Sequence, residues 1–92
     1  MINEQVLLVA VKTDLGISTT VYDDRLRNCI RTAKERIAEE GVQLTESEGD
    51  QNLVIMYAAY LWRCRSSGEG IPRMLRYALN NRIFSAKARA GA

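Results

Sequence analysis

The residues that most often do chemistry near neutral pH are sparse in this chain. Histidine is absent from its 92 residues, which removes the commonest general base and the commonest zinc ligand. Without histidine, a nucleophilic dyad or triad would need Cys29 or Cys64 activated by arginine or lysine, and the two form no CxxC spacing and are too few for a metal site or a disulfide framework. Cys29 falls in the apolar stripe of a helical pattern, where a thiol acts as a small hydrophobe. Cys64 stands between Arg63 and Arg65, but neighbours in sequence point in different directions on a helix. Both read as structural, reduced thiols. The acidic pairs Asp23/Asp24 and Glu39/Glu40 lie at helix ends, where capping and solvation account for them. The glycines form neither GxGxxG nor GxxxxGK[ST], so no phosphate-binding loop is present. No catalytic residue, metal site or cofactor is expected, and the chain does not read as an enzyme.

One constellation stands out, a stretch rich in arginine, amide and aromatic side chains. It comprises Tyr60, Trp62, Arg63 and Arg65, followed by Arg73, Met74, Arg76, Tyr77, Asn80, Asn81 and Arg82. Arginine and asparagine on one helix can contact phosphates and base edges, so a small DNA-binding helix-turn-helix regulator reading with residues 72–82 is one alternative. Against it, the connection from Ser66 to Ile71 exceeds the usual three-to-four-residue turn of that motif. A plain solvated basic face is the second alternative. The third is a surface that meets the acidic half of another copy. Residues 1–50 carry six basic and ten acidic side chains, a net −4, whereas residues 51–92 carry seven and one, a net +6. Separated poles on one small domain favour a head-to-tail contact that closes into a ring.

The elements that must position these residues are helical. Asn3 can cap a first helix in which Val6, Leu7, Ala10, Val11 and Asp14 follow at helical spacing, Gly16 can stop it, and Ile17 can fold back on it. Thr20 and Asp23 make an [ST]xx[DE] capping box before a second helix that Gly41 terminates. In that helix Leu26, Cys29, Ile30, Ala33 and Ile37 fall within about 100° of arc, the signature of one buried stripe. Asp23–Arg27, Arg31–Glu35 and Arg36–Glu40 have opposite charges at i,i+4 and would support it on its solvated side. Ser47 or Asp50 can cap a third helix, apolar on every side from Leu53 to Cys64. Such a helix is a central core element or part of a subunit interface. After Ser66–Gly70, Pro72 suits the first turn of a fourth helix, with Met74, Tyr77, Ala78 and Asn81 on one face and Arg73, Arg76 and Asn80 on the outer side. Ser85–Ala92 reads as a basic, alanine-rich tail, mobile or docked on a partner, as do residues 1–5.

These patterns predict an all-α, compact bundle of about four helices with a basic C-terminal tail, forming a single domain over residues 1–92. With 47% apolar and 26% charged residues, the chain is too hydrophobic for intrinsic disorder. The first residues lack the charged start and apolar run of a signal peptide. The longest uncharged apolar run, Leu53 to Trp62, falls well short of the roughly 18 residues of a membrane span. A soluble, cytosolic protein with no membrane contact is the expectation.

The segments VKTDLGI at Val11–Ile17, YDDRLRNCIRTAKERI at Tyr22–Ile37, YAAYLWRCR at Tyr57–Arg65 and PRMLRYALNNRIFSAKARAG at Pro72–Gly91 resemble the small head–tail connector, or neck adaptor, family of long-tailed double-stranded DNA bacteriophages and prophages. The resemblance covers nearly the whole chain and is carried by overall arrangement, with no catalytic signature. It implies a structural virion protein that assembles as a homo-oligomeric ring, commonly of twelve copies, beneath the portal protein. That ring would extend the DNA channel and offer a docking surface to a downstream neck or tail-completion protein. It further implies non-specific contact with double-stranded DNA in the channel, residence in the virion neck, and assembly in the host bacterial cytoplasm. Carried over to these residues, Leu53–Arg65 would be core and ring contact, with Trp62, Tyr60 and Tyr77 as apolar anchors. Arg73, Met74, Arg76, Tyr77, Asn80, Asn81 and Arg82 would lie in the segment used for subunit or portal docking.

Overall fold

The computed structural model describes residues 3–64 and 70–90. Four helices account for the fold: α1 (Glu4–Leu15), α2 (Asp23–Glu39), α3 (Glu48–Arg63) and α4 (Arg73–Ala90). The all-α bundle expected from the patterning is present.

Capping explains where each helix starts and stops. Asn3 Oδ1 accepts from the Gln5 N–H at 2.8 Å, satisfying one of the orphan donors of the first turn. At the other end of α1, Gly16 adopts φ 71°, its N–H donates to the Thr13 carbonyl, and the Ile17 N–H donates to the Lys12 carbonyl at 2.9 Å. This is the Schellman arrangement, which a side chain at Gly16 would strain. Ile17 then packs against the core. Within α1 the inward face is Leu7, Leu8 and Val11, while Val6, which the spacing grouped with them, is exposed.

Helix α2 starts later than the capping-box pattern requires. Its N-cap is Tyr22, with no side-chain cap bond, and Asp23 is the first helical residue. Thr20 instead takes part in a turn, its carbonyl accepting from the Asp23 N–H at 3.1 Å. The Asp23 carboxylate is drawn across to α1, where Lys12 Nζ lies 2.8 Å from Oδ1. That oxygen makes no hydrogen bond of good geometry, so the pairing is Coulombic in character. The apolar stripe behaves as expected: Leu26, Ile30, Ala33 and Ile37 are fully buried and Cys29 is half-buried. Two arginines of α2 reach across to α1, where the spacing suggested i,i+4 pairs along α2. Arg31 donates to both Glu4 carboxylate oxygens, at 3.1 and 3.3 Å, and Arg27 lies 4.0 Å from the same carboxylate while pairing with Asp24 within α2 at 3.3 Å. Gly41, at φ 91°, follows the α2 C-cap and turns the chain away.

Ser47 caps α3, its Oγ accepting from the Asp50 N–H at 3.2 Å. Helix α3 packs against α1, α2 and α4, so its all-round apolar character belongs to a central helix. Leu53, Val54, Tyr57, Ala58, Ala59 and Trp62 are buried, while Ile55, Met56, Tyr60 and Leu61 are half-buried against the core. The ring of Tyr22 stands edge-on to Trp62, with centroids 5.3 Å apart, a favourable aromatic geometry that ties the α2 N-terminus to the α3 C-terminus.

The side-chain pairings fix the helix directions. Lys12–Asp23 and Glu4–Arg31 run α1 and α2 antiparallel, Tyr22–Trp62 does the same for α2 and α3, and Asp14–Arg63 joins the two C-terminal ends of α1 and α3. Helix α4 returns along α3, since Arg82 reaches Asp50 in the first turn of α3. Pro72 is the residue before α4, with its carbonyl accepting from the Arg76 N–H at 3.0 Å. The tail expected from Ser85 is helical as far as Ala90, while residues 91–92 lie outside the described residues. From Arg82 to Ala90 the axis advances about 12 Å, which carries the last two turns of α4 beyond the start of α3. The molecule is accordingly elongated, 46 Å by 29 Å by 18 Å.

Candidate functional site

Helix α4 docks through a narrow inner stripe. Leu75 and Leu79 are almost fully buried, Ala78 and Ile83 are partly buried against the core, and Arg82 falls on the same side. Each buried leucine stabilises this docking by about 1.5–3 kcal/mol.

Arg82 is the polar lock of that stripe. Its Nε donates to Asp50 Oδ1 at 2.6 Å, and its Nη2 donates to Asp50 Oδ2 at 3.2 Å and to the Gln43 carbonyl at 3.0 Å. Asp50 Oδ2 also accepts from the Thr45 N–H and hydroxyl, both at 2.8 Å. Burial by itself would raise the Asp50 pKa, but the Arg82 and Thr45 donors outweigh it and hold the carboxyl below its ordinary value. The same hydrogen bond raises the pKa of the Arg82 guanidinium. Asp50 is the buried charged residue of the core, and its saturated oxygens make that burial tolerable. Nothing in the arrangement leaves a free acid or base for catalysis at these two residues.

The outer side of α4 is different. Met74, Tyr77 and Phe84 are 72%, 63% and 76% exposed, and Arg73, Arg76, Asn80, Asn81 and Lys87 are exposed among them. At 100° per residue, Arg73, Tyr77, Asn80 and Phe84 form one line opposite Leu75 and Leu79. The face is basic and aromatic with no acidic residue, a composition suited to a partner surface.

The structure thus divides the residues singled out in the sequence. Arg73, Met74, Arg76, Tyr77, Asn80 and Asn81 are brought together on the exposed side of α4. Arg82 faces inward and is bound to Asp50, so it belongs to the clamp and not to a free surface. Trp62 is 8% exposed and meets the Tyr22 ring edge-on. Within the single chain it packs in the core of the bundle. Tyr60 is half-buried, its ring edge-on to Tyr57 at 6.0 Å. Arg63 is exposed and pairs with Asp14 at 3.6 Å, a surface ion pair of little energetic weight. Arg65 lies outside the described residues.

Two features are not legible from the sequence alone. Phe84 carries no distinctive local signal, although it stands two turns beyond Tyr77 on the same line. Arg82 was grouped with the basic face, although it stands seven residues after Leu75 on the buried stripe. No group of three or more metal-ligating side chains occurs among the described residues, and none of their helices is long and apolar enough to cross a membrane. No family model, curated protein or solved structure matches this chain.

Proposed function

We propose that this chain is a non-enzymatic structural adaptor of a phage or prophage neck, a subunit that assembles with copies of itself into a ring beneath the portal. The observation that carries this reading is the outer face of α4, where Met74, Tyr77 and Phe84 are exposed among Arg73, Arg76 and Asn80. Phe84 stands on the solvent side of α4, level with the start of α3. Aromatic and arginine side chains are the types that most often carry binding energy when an interface buries them. The segment similarity at Tyr57–Arg65 and Pro72–Gly91 supports the neck assignment, and the split of charge between the two halves of the chain supports association of like copies. The anchors are then Tyr77, Met74 and Phe84, with Arg73 and Arg76 steering the encounter. Residence in the virion neck, docking of a tail-completion protein and contact with channel DNA belong to the same proposal.

Native mass spectrometry over a concentration series, with and without the portal of the same phage, tests the proposal. A closed multimer of defined copy number, in solution or on the portal, is the expected result. A strict monomer at every concentration that also fails to bind portal would overturn it.

The DNA-binding reading draws on the same Arg73, Arg76 and Asn80 line. It is disfavoured because α3 ends at Arg63 and α4 begins only at Arg73, too wide a separation for a helix-turn-helix. Fluorescence anisotropy with duplex DNA separates the two. Sequence-selective binding with a steep salt slope would favour the regulator, and weak sequence-blind binding the adaptor.

A further inference from the structure

A ring of like copies needs a surface that receives α4. Helices α1 and α2 together carry six acidic and six basic residues, so the net −4 of residues 1–50 does not lie on them. It lies in the connection to α3, where Glu40–Asp50 holds four acidic residues and no basic one. Asp50 is bound to Arg82, whereas Glu39, Glu40 and Glu48 are exposed and form no ion pair among the described residues. The end of α2 and this connection form an open groove of about 550 Å³, lined by Ala38, Gly41, Val42, Gln43 and Leu44, with Lys34 as its charged position. Glu39 and Glu40 stand between Ala38 and Gly41 in the chain, at the edge of that groove.

The outer side of α4 is divided in a matching way. At 100° per residue, Arg76, Lys87, Asn80 and Arg73 fill a sector of about 60°, and Phe84, Tyr77 and Met74 fill the next, of about 80°. Helix α4 carries five basic residues and no acidic one. Arg73, Arg76 and Lys87 are exposed and form no ion pair among the described residues. A surface that satisfies both sectors needs an apolar hollow with carboxylates along one side.

We infer that the outer face of α4 of one copy docks on the Ala38–Leu44 corner of the next, with Tyr77 in the groove and Arg73 and Arg76 against Glu39 and Glu40, an inference that rests on the proposed ring. The partner is a second copy because this chain itself carries the matching acidic corner. The contact cannot form within one chain. Arg82 already fixes the inner side of α4 to this connection through Asp50 and the Gln43 carbonyl, and the Arg73–Tyr77–Phe84 line points the opposite way. Two α4 faces packed on each other would oppose arginine with arginine, which destabilises a contact. A nucleic-acid duplex would meet the cations and leave Met74 and Tyr77 without apolar partners. Unlike faces that meet repeatedly make a heterologous contact, the kind that closes into a ring when its rotation allows.

Charge reversal on each face, alone and combined, tests the contact. Arg73→Glu/Arg76→Glu and Glu39→Lys/Glu40→Lys each set like charges against one another across it. Each double variant should lower the affinity of assembly by more than about tenfold, read by native mass spectrometry over a concentration series, with portal present if the wild type requires it. The four substitutions combined in one chain set opposite charges across the contact again, and assembly should recover. Glutamate in the first turn of α4 and lysine in the last turn of α2 both suit the helix dipoles, so circular dichroism of all three variants should match the wild type. If either double variant assembles as the wild type does, the contact is overturned. If both are impaired and the combined chain does not recover, the two faces meet other surfaces and the inference fails. In both cases the wild-type multimer leaves the proposed ring standing. A wild type that neither multimerises nor binds portal overturns the ring and the contact together.

Discussion

Arg82 of α4 and Asp50 of α3 meet at 2.6 Å, with the side chain of Asp50 only 4% exposed and that of Arg82 18% exposed. This pair registers a helix that otherwise holds on by two buried leucines and a few partly buried neighbours. Because both charges are largely shielded from water, the pairing is sensitive to loss of either partner.

Arg82→Ala should therefore cost about 3 kcal/mol, since it leaves a carboxylate in the core with only the Thr45 donors. Arg82→Lys should recover only part of that, because a single ammonium cannot reproduce the two-pronged contact. Urea denaturation followed by circular dichroism measures both. A change within about 0.5 kcal/mol for the alanine variant would show that the pair has no structural weight.

Acid should weaken the same clamp. In the folded chain the Asp50 carboxyl titrates below its ordinary value, whereas an unperturbed aspartate of an unfolded chain titrates at about 3.9. A lowered folded value means that the unfolded state binds the proton more readily. The stabilisation is thus fully present above about pH 4 and is lost as pH falls through the folded value. Asp50→Asn should be less stable at pH 7 and show a shallower loss of melting temperature between about pH 4 and pH 2. Parallel pH profiles for the two proteins would contradict this assignment. Arg82, whose pKa is raised, remains charged throughout that range.

The two sides of α4 should respond in opposite ways to truncation. Leu79→Ala removes a side chain 1% exposed and should cost about 2–5 kcal/mol. Phe84→Ala removes one that is 76% exposed and should leave monomer stability within about 0.5 kcal/mol. Thermal unfolding of the two variants side by side is the check, and equal losses would mean that Phe84 is packed in solution.

Trp62 should behave as a core residue. Trp62→Ala removes the ring against which Tyr22 stands edge-on, with an expected loss of about 3–5 kcal/mol. Trp62→Phe should retain most of the stability and all of any self-association. If the phenylalanine variant folds normally and fails to associate, Trp62 has a role at an interface after all.

At the C-terminus of α1, Gly16→Ala should destabilise by about 1 kcal/mol, through strain at φ 71° and not through a clash. No heavy atom outside its immediate neighbours lies within 4 Å of a Cβ built there, so any larger loss would point to a contact the structure lacks.

Local signals in the chain determined a great deal. Asn3, Gly16, Gly41 and Ser47 mark helix ends because caps depend on a few adjacent side chains. The Leu26–Ile30–Ala33–Ile37 stripe predicts burial because helical periodicity acts over short range. Thr20–Asp23 misleads for a related reason: a capping box is a local option, and the Lys12 ammonium on another helix claimed the carboxylate. The run from Ser85 looked like a tail because alanine and lysine carry little apolar pattern, yet these are strong helix formers and extend a helix already begun.

What α3 packs against, and which side of α4 faces inward, depended on contacts between segments distant in sequence. Helical spacing alone groups Met74, Tyr77, Ala78 and Asn81 on one face, with Leu75, Leu79 and Arg82 beside it. In the fold the second set turns inward, with Leu75 and Leu79 buried and Arg82 bound to the Asp50 carboxylate. The partner of Trp62 is likewise set by distant chain, since Tyr22 lies 40 residues earlier and reaches it only once α2 turns back along α3. By itself the sequence determined an all-α chain with its charge divided between two halves. Tertiary structure decided which of its arginines and aromatics hold the bundle together and which remain at the surface, because that depends on three-dimensional partners and not on neighbours along the chain.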